Sequence, residues 1–507
     1  VCSTRLSVQM PGFSRCLAAS LLAGLTACAS AEPPCPADVA TTRVEPTAFV
    51  HPPPSGSTSA SVPPLSPFAR TYEADARKII DAARGKPAAY EKLRELTDGI
   101  GHRLSGSPAL DRAIAWAERS LAADGHENVR KEKVMVPHWE RGAESAEIVG
   151  PVRRPLSILG LGGSEGTPKA GVEGDVLVVR SFDELEKAGE EVKDKIVLFD
   201  VAMRGYEEGK GSGYGDVVGF RSSGPSRASK LGAKAVLVRS LATSSLNTPH
   251  TGATRFDDGV KKIPAAAVTV EDSALIARLT GRGERVRVRL TMGAKTKPDA
   301  PSANVLAELV GREKPDEIVL IGGHLDSWDV GQGAHDDGAG CVIMMQALTT
   351  LRALGMKPRR TIRVVLFTNE ENGIAGAKAY AKDHAAEVPK HVLGVEADSG
   401  GFAPWGFTVE VPKDRAPRAK RFAEDVSALL TPLGTLQVVE AGSGADLIPL
   451  VKEGMPGIGY VSHGQKYFDY HHSAADTLDK VDPNELADGV AVVAVLAWVA
   501  AEMPDRL

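Results

Sequence analysis

Between Ser302 and Ser462 the sequence keeps returning to short runs of Val, Ile and Leu: ANVLAELV, EIVLIGG, TIRVVLFT, HVLGVEAD and GIGYVS. Most are separated by helical stretches, CVIMMQALTTLRAL, GAKAYAKDHAAE and APRAKRFAEDVSALL. An apolar run that does not alternate with polar residues needs cover on both faces of its strand, and helical crossovers supply that cover. The pattern predicts an α/β fold, a mostly parallel mixed sheet flanked by helices. In such sheets ligands gather beyond the carboxyl ends of the strands. The last apolar stretch, GVAVVAVLAWVAAEM, reads as a helix too short to cross a bilayer.

Upstream, YEADARKIIDAARG and LDRAIAWAERSLAADG read as helices, the second ending at Gly125, with a loop at Gly101–Gly106 between them. From about Ala170 to Met292 the texture changes to short β runs (DVLVV, KIVLFD, AKAVLV, AAAVTV and an alternating run at 286–290) interleaved with helical pieces. This predicts a compact α/β insert of about 120 residues. No catalytic cluster falls inside it. Its Gly-rich stretch GKGSGYGDVVG does not lead from a strand into a helix as a nucleotide loop would, and reads as a plain loop.

The formal net charge of -5 gives no basic footprint, so nucleic acid is not an expected partner. Arg15 and the apolar stretch Leu17–Leu25 read as a secretory signal peptide starting at Val1 or Met10. It ends in Leu25-Thr26-Ala27-Cys28, similar to the lipobox of bacterial lipoproteins, in which Cys28 would carry the lipid. Ordinary cleavage near Ala29-Ser30-Ala31 is the alternative. The expected location is therefore the cell envelope, lipid-anchored, or free secretion, with membrane contact only through Cys28. The Pro/Ser-rich residues that follow cannot bury enough apolar surface to fold and read as a tether. Of five cysteines only Cys28, Cys35 and Cys341 follow the leader, so neither a disulfide framework nor a thiolate zinc site is implied.

The polar residues that follow the strands carry the chemistry. His324 follows Ile318–Gly323, and Asp326, two residues on, is placed to accept the imidazole's other N–H. Asp336 and Asp337 precede Gly338-Ala339-Gly340 and a helix; one such acid alone would read as an N-cap. A carboxylate there can instead bridge two cations roughly 3.5 to 4 Å apart. Glu370 and Glu371 follow the strand at 362–367, and neighbouring acids can divide the work, Glu371 as metal ligand and Glu370 as base. Asp398 ends the run at 392–397. His471 and His472 follow the strand at 458–461, and spacing alone leaves either as the ligand. Asp476 reads as an orienting acid or a cap. Each feature is bland by itself; together, three carboxylates and two imidazoles without cysteine suit zinc in a hydrolytic site, although manganese or cobalt accept similar donors.

These segments, GGHLDSWDVGQGAHDDGAG, FTNEENG, VEADSGG, GSGADLIPL and YHHSAADT, occur in an order that resembles the co-catalytic di-zinc exopeptidases of the zinc aminopeptidase and glutamate carboxypeptidase type. Within that family the resemblance to the carboxypeptidase Q branch runs from about Tyr72 to Val481. It implies two zinc ions per chain, one on His324 and Asp398, the other on Glu371 and His472, with Asp336 between them through a cis Asp336-Asp337 bond. His472 takes precedence over His471 because it directly precedes Ser473. Asp326 would orient His324, Glu370 would be the general acid/base, and Ser443, Gly444 and Asp446, with His471, would help line the substrate pocket.

The expected layout is then a leader at 1–27, a tether at 28–68, catalytic domain at 69–169 and 293–507, and a protease-associated insert at 170–292. The expected activity is hydrolysis of dipeptides or short peptides, by a chain that the family makes a homodimer. A non-catalytic receptor-like homologue and a single-zinc aminoacyl transferase of glutaminyl-cyclase type are the competing readings.

Overall fold

The computed structural model describes residues 64–507 apart from 86–87, 208–210 and 245. The expected leader, Cys28 and the tether up to residue 63 lie outside the described residues. A helix begins at Pro67, where the Ser66 side chain accepts the Ala69 N–H at 3.0 Å and proline occupies the first turn, where its missing N–H costs nothing.

A mixed sheet of eight strands carries the site. In spatial order they are Glu127–Glu140, Lys295–Leu309, Arg360–Phe367, Lys314–His324, His391–Ala397, Gly457–Ser462, Pro404–Glu410 and Gln437–Glu440. The four strands from Arg360–Phe367 to Gly457–Ser462 run parallel, with antiparallel neighbours on either side. Register sets His324 opposite Phe367 and Gly322 opposite Glu396, so three chains leave the sheet along one edge. The central runs are apolar throughout because both faces are packed. Val319, Ile321, Ile362, Val364 and Leu366 join one core with helices Ala339–Ala353 and Pro483–Glu502. Leu320, Val365 and Phe367 join another with Ala377 and Tyr380 of helix Ala375–Asp383. Each such side chain contributes about 1.5–3 kcal/mol on burial.

The last helix departs from expectation. It runs 20 residues, Pro483–Glu502, long and apolar enough to cross a membrane, but it is a core element packed against helices Pro67–Arg84 and Ala339–Ala353. It lacks a polar stripe because it is surrounded on nearly every side, and without periodicity its start at Pro483, capped by Asp482, does not stand out in the sequence.

A second eight-stranded sheet follows the order Arg154–Leu156, Glu144–Gly150, Arg287–Met292, Val172–Val179, Ile196–Phe199, Ala235–Arg239, Ala265–Val268 and Ile158–Gly160. It contains the β runs expected between 170 and 292 and adds strands from Glu144 onward. The Gly-rich stretch is not a plain loop: its second half starts helix Tyr214–Ser222. Arg141, between the two sheets, pairs in bidentate fashion with Asp329, Nε to Oδ2 at 2.8 Å and the second nitrogen to Oδ1 at 2.5 Å.

Candidate metal centre

His324 ends its strand with Nε2 3.2 Å from Asp336 Oδ1 and 3.6 Å from Asp398 Oδ1. His472 Nε2 lies 3.2 Å from Asp336 Oδ2 and 3.1 Å from Glu371 Oε2. Asp336 thus offers one oxygen to each of two trios. Donors about 2.0–2.1 Å from a tetrahedral zinc stand roughly 3.3 Å apart, close to these spacings. His324 Nε2, Asp336 Oδ2, Glu371 Oε1 and Asp398 Oδ1 are all buried atoms without a hydrogen-bond partner, a costly arrangement for a site with nothing further to bind. The donor set and the orphaned atoms therefore fit divalent cations.

Electrostatics point the same way. Burial pushes the Glu370 carboxyl well above the usual carboxylate range, and the charges of Asp398 and Glu371 add to the effect. Glu371 is pushed up to about 7 by burial and by Asp336. The cluster holds more negative charge than its own side chains neutralise, which added positive charge would relieve.

The two acids at 336–337 turn in different directions. Asp336 faces the trios, while Asp337 turns away, accepting the His324 N–H at 3.0 Å and the Gly340 N–H at 3.1 Å. The bond between them is cis. Gly340 is required here, since a Cβ would sit 2.1 Å from the Ala397 carbonyl oxygen and 2.2 Å from Asp337 Oδ1.

Asp326 differs from expectation in which atom does the work. His324 Nδ1–H donates to the Asp326 backbone carbonyl at 3.0 Å, and the nearer carboxylate oxygen is 3.9 Å from Nδ1. The carboxylate instead accepts the Glu370 N–H at 3.0 Å and the Ser105 hydroxyl at 3.2 Å, and Ser105 in turn accepts from Asn369 at 2.9 Å. Chain curvature after the strand turns the side chain toward Glu370. Asp476 is neither a cap nor an imidazole partner: its carboxylate accepts the backbone N–H groups of His335 at 2.7 Å and Asp336 at 3.2 Å. His471 stacks on His472 with ring centres 3.5 Å apart, its Nε2 3.7 Å from Asp336 Oδ2.

A cleft of about 460 Å³ opens over the trios, lined by Asp336, Glu370, Glu371, Asp398, His471 and His472 on one side. Ser443, Gly444 and Asp446 are not among its lining residues. Ser443 bonds Glu410, Gly444 packs on the Glu396 carboxylate, and the Asp446 N–H donates to Glu396. The opposite wall comes from the insert: Tyr214, Val218, Arg221, Ser222, Ala253 and Arg255. Thr251, also of the insert, accepts from His472 Nδ1 at 3.2 Å and donates its own N–H to the His472 carbonyl at 2.9 Å. Sequence reasoning missed these residues, because an arginine in a short helix and a backbone carbonyl leave no motif.

The family model for peptidase family M28 matches residues 304–497. Carboxypeptidase Q of Mus musculus is 43% identical over 439 residues, covering 86% of this chain and 91% of that protein. The crystal structure of a peptidase M28 precursor from Shewanella amazonensis SB2B superposes with a TM-score of 0.82 at 37% identity, covering 87% of this chain and 98% of that one. A zinc aminopeptidase from Bacillus subtilis shares the fold, with a TM-score of 0.61 at 18% identity over 82% of this chain and 96% of that one.

Proposed function

The chain belongs to peptidase family M28 and is a zinc-dependent exopeptidase, and from that premise we propose that it cleaves dipeptides or short peptides with two zinc ions bridged by Asp336 and with Glu370 as proton carrier. The observation that carries this reading is the pair of trios sharing one aspartate, His324–Asp336–Asp398 and Glu371–Asp336–His472. A single-zinc site would leave one trio's buried donors unpaired.

Bound there, the ions would lower the pKa of a water and polarise the peptide carbonyl. Glu370 takes the proton of the attacking water and delivers it to the leaving amine as the C–N bond breaks. Asp326, bonded to the Glu370 N–H, fixes that base; the Asp326 carbonyl orients His324; the Thr251 carbonyl orients His472. His471, stacked beside His472, stands on the substrate side of the cleft. Ser443 and Gly444 act through Glu410 and Glu396, supporting the wall behind it.

The proposal extends to the whole chain. The leader-like N-terminus supports export, with Cys28 as the anchor point; the second sheet, from Glu144 to Met292, supports a protease-associated type of insert; and the family resemblance supports a homodimer. Hydrolysis of free and end-blocked dipeptides with and without a chelator tests the activity. Glu370→Gln should lower kcat by about 10²- to 10⁴-fold while bound zinc stays at the wild-type level. Near-normal turnover in that variant would remove Glu370 from the mechanism.

A further inference from the structure

The second trio leans on the insert in a way that the first does not. His324 and Asp336 find their supports in the catalytic domain, at the Asp326 carbonyl and the Asp476 carboxylate, and Asp398 directly follows a core strand. His472 lies in a turn well beyond strand Gly457–Ser462, and its backbone is left-handed at φ +58. A residue with a Cβ keeps that conformation only where its surroundings enforce it.

Much of the enforcement comes across the junction. His250 Nδ1–H donates to the His471 carbonyl at 2.7 Å, and the Thr251 N–H donates to the His472 carbonyl at 2.9 Å, while the Thr251 carbonyl accepts from His472 Nδ1. The Thr243 and Ser244 hydroxyls donate to one oxygen of Asp469, at 2.8 and 2.6 Å. Tyr214 stacks on Phe468 with ring centres 4.9 Å apart and meets His471 edge-on. These grips are anchored in the insert's own sheet. The Ser240 hydroxyl accepts the His250 N–H at 3.0 Å and donates to the Val268 carbonyl at 2.8 Å, and the Thr251 hydroxyl donates to the Gly160 carbonyl at 2.7 Å. His250 and Thr251 are buried, so water does not take over a contact that either one loses.

Resting on the two-ion reading above and going beyond it, we propose that Thr243, Ser244, His250 and Thr251 form a clasp on the 469–472 turn that sets the metal affinity of the Glu371–Asp336–His472 site alone. His250 and Asp469 are positioning residues: each acts through the backbone that presents His472, not on the ion itself. Partners of this kind, one step behind a ligand, govern how well the ligand is held in place. An enzyme so built keeps one ion on its strand ends and takes the second only with the insert seated.

The test is competition of zinc against a graded chelator on the full chain, with ions counted by elemental analysis. Wild type should bind two, and Asp398→Asn marks the step that belongs to the first trio. Asp469→Ala and, from the other side of the contact, Thr243→Val with Ser244→Ala should each weaken the second step by about 10-fold or more and leave the first unchanged, while both ions still bind at saturating zinc. Combining the three substitutions should add nothing, since they break one contact. Asp469→Asn removes the same charge but keeps an oxygen for the two hydroxyls, so it should stay near wild type, whereas His250→Phe should follow Asp469→Ala. Both steps weakened together, neither step weakened, or Asp469→Asn as damaging as Asp469→Ala overturns the clasp. A wild-type chain that binds a single ion fails the two-ion reading itself, a result that the ion count tells apart from these, and the clasp falls with it.

Discussion

The two walls of the cleft reach the same place by different routes. On the large sheet, three of the five proposed ligands end or closely follow a buried strand, near places that hydrogen-bond register has already fixed: His324 beside Phe367, Glu371 (with Glu370) just beyond Phe367, and Asp398 after Ala397. On the insert, Arg221 sits in the last turn of a nine-residue helix, and Thr251 contributes a carbonyl. The first wall is set by a continuous core of side chains, the second by contacts made across the junction. Chemistry built on strand ends should therefore fail through loss of metal or of the base. Chemistry supplied by the insert should fail through a weakened hold on His472 and through stability of the junction.

The sharpest contrast comes from Asp336→Asn. If one carboxylate serves both trios, the variant should lose both ions and at least about 10³-fold in turnover; metal analysis finding two ions retained would break the bridging assignment. Asp476→Asn acts one step further out, on the backbone that presents Asp336, and should weaken metal affinity by about 10- to 100-fold, read by competition with a chelator. An unchanged affinity would mean that the surrounding chain alone places Asp336.

The junction itself is probed by Asp329→Ala. Its bidentate partner Arg141 is 10% exposed, and loss of the pair should lower unfolding free energy by roughly 1.5–3 kcal/mol in denaturant titration. Zinc content of the folded protein should stay unchanged. A loss of metal without a loss of stability would mean that the junction, not the strand register, places the ligands.

The smallest effect belongs to a polar network that shares no residue with the cleft. Burial alone would raise the Glu387 carboxyl, but the Arg363 hydrogen bond and charge, with His384, outweigh it and bring the group to about 2. Because the folded pKa lies below the ordinary glutamate value of 4.5, the stability it contributes is fully present above that pH and fades as pH falls toward 2. Half-exposure of Glu387 keeps the contribution modest. Glu387→Gln should flatten this part of the acid unfolding curve; an unaltered curve would show that the network contributes no pH dependence.

Much of the large sheet was legible because its physics is local and repetitive. Unbroken apolar runs demand two covered faces, and a polar residue ending such a run must sit at the sheet edge. The same reasoning went astray where the chain curves: straight extension after His324 puts the Asp326 carboxylate against the imidazole, but the turn gives that role to its carbonyl. It also read the glycines around Tyr214 as loop, since glycine spacing conceals a short helix that carries Arg221. Asp476 and Ser105 act through the backbone of Asp336 and the carboxylate of Asp326, contacts over 140 and 221 residues of sequence that no periodicity encodes.

The central claim is that three carboxylates and two imidazoles hold two ions on one shared aspartate. Zinc content per chain, measured by elemental analysis on purified wild-type protein after exhaustive dialysis, tests it most directly. The account predicts two ions per chain and loss of activity as they are withdrawn. Full turnover with a single ion per chain would contradict it.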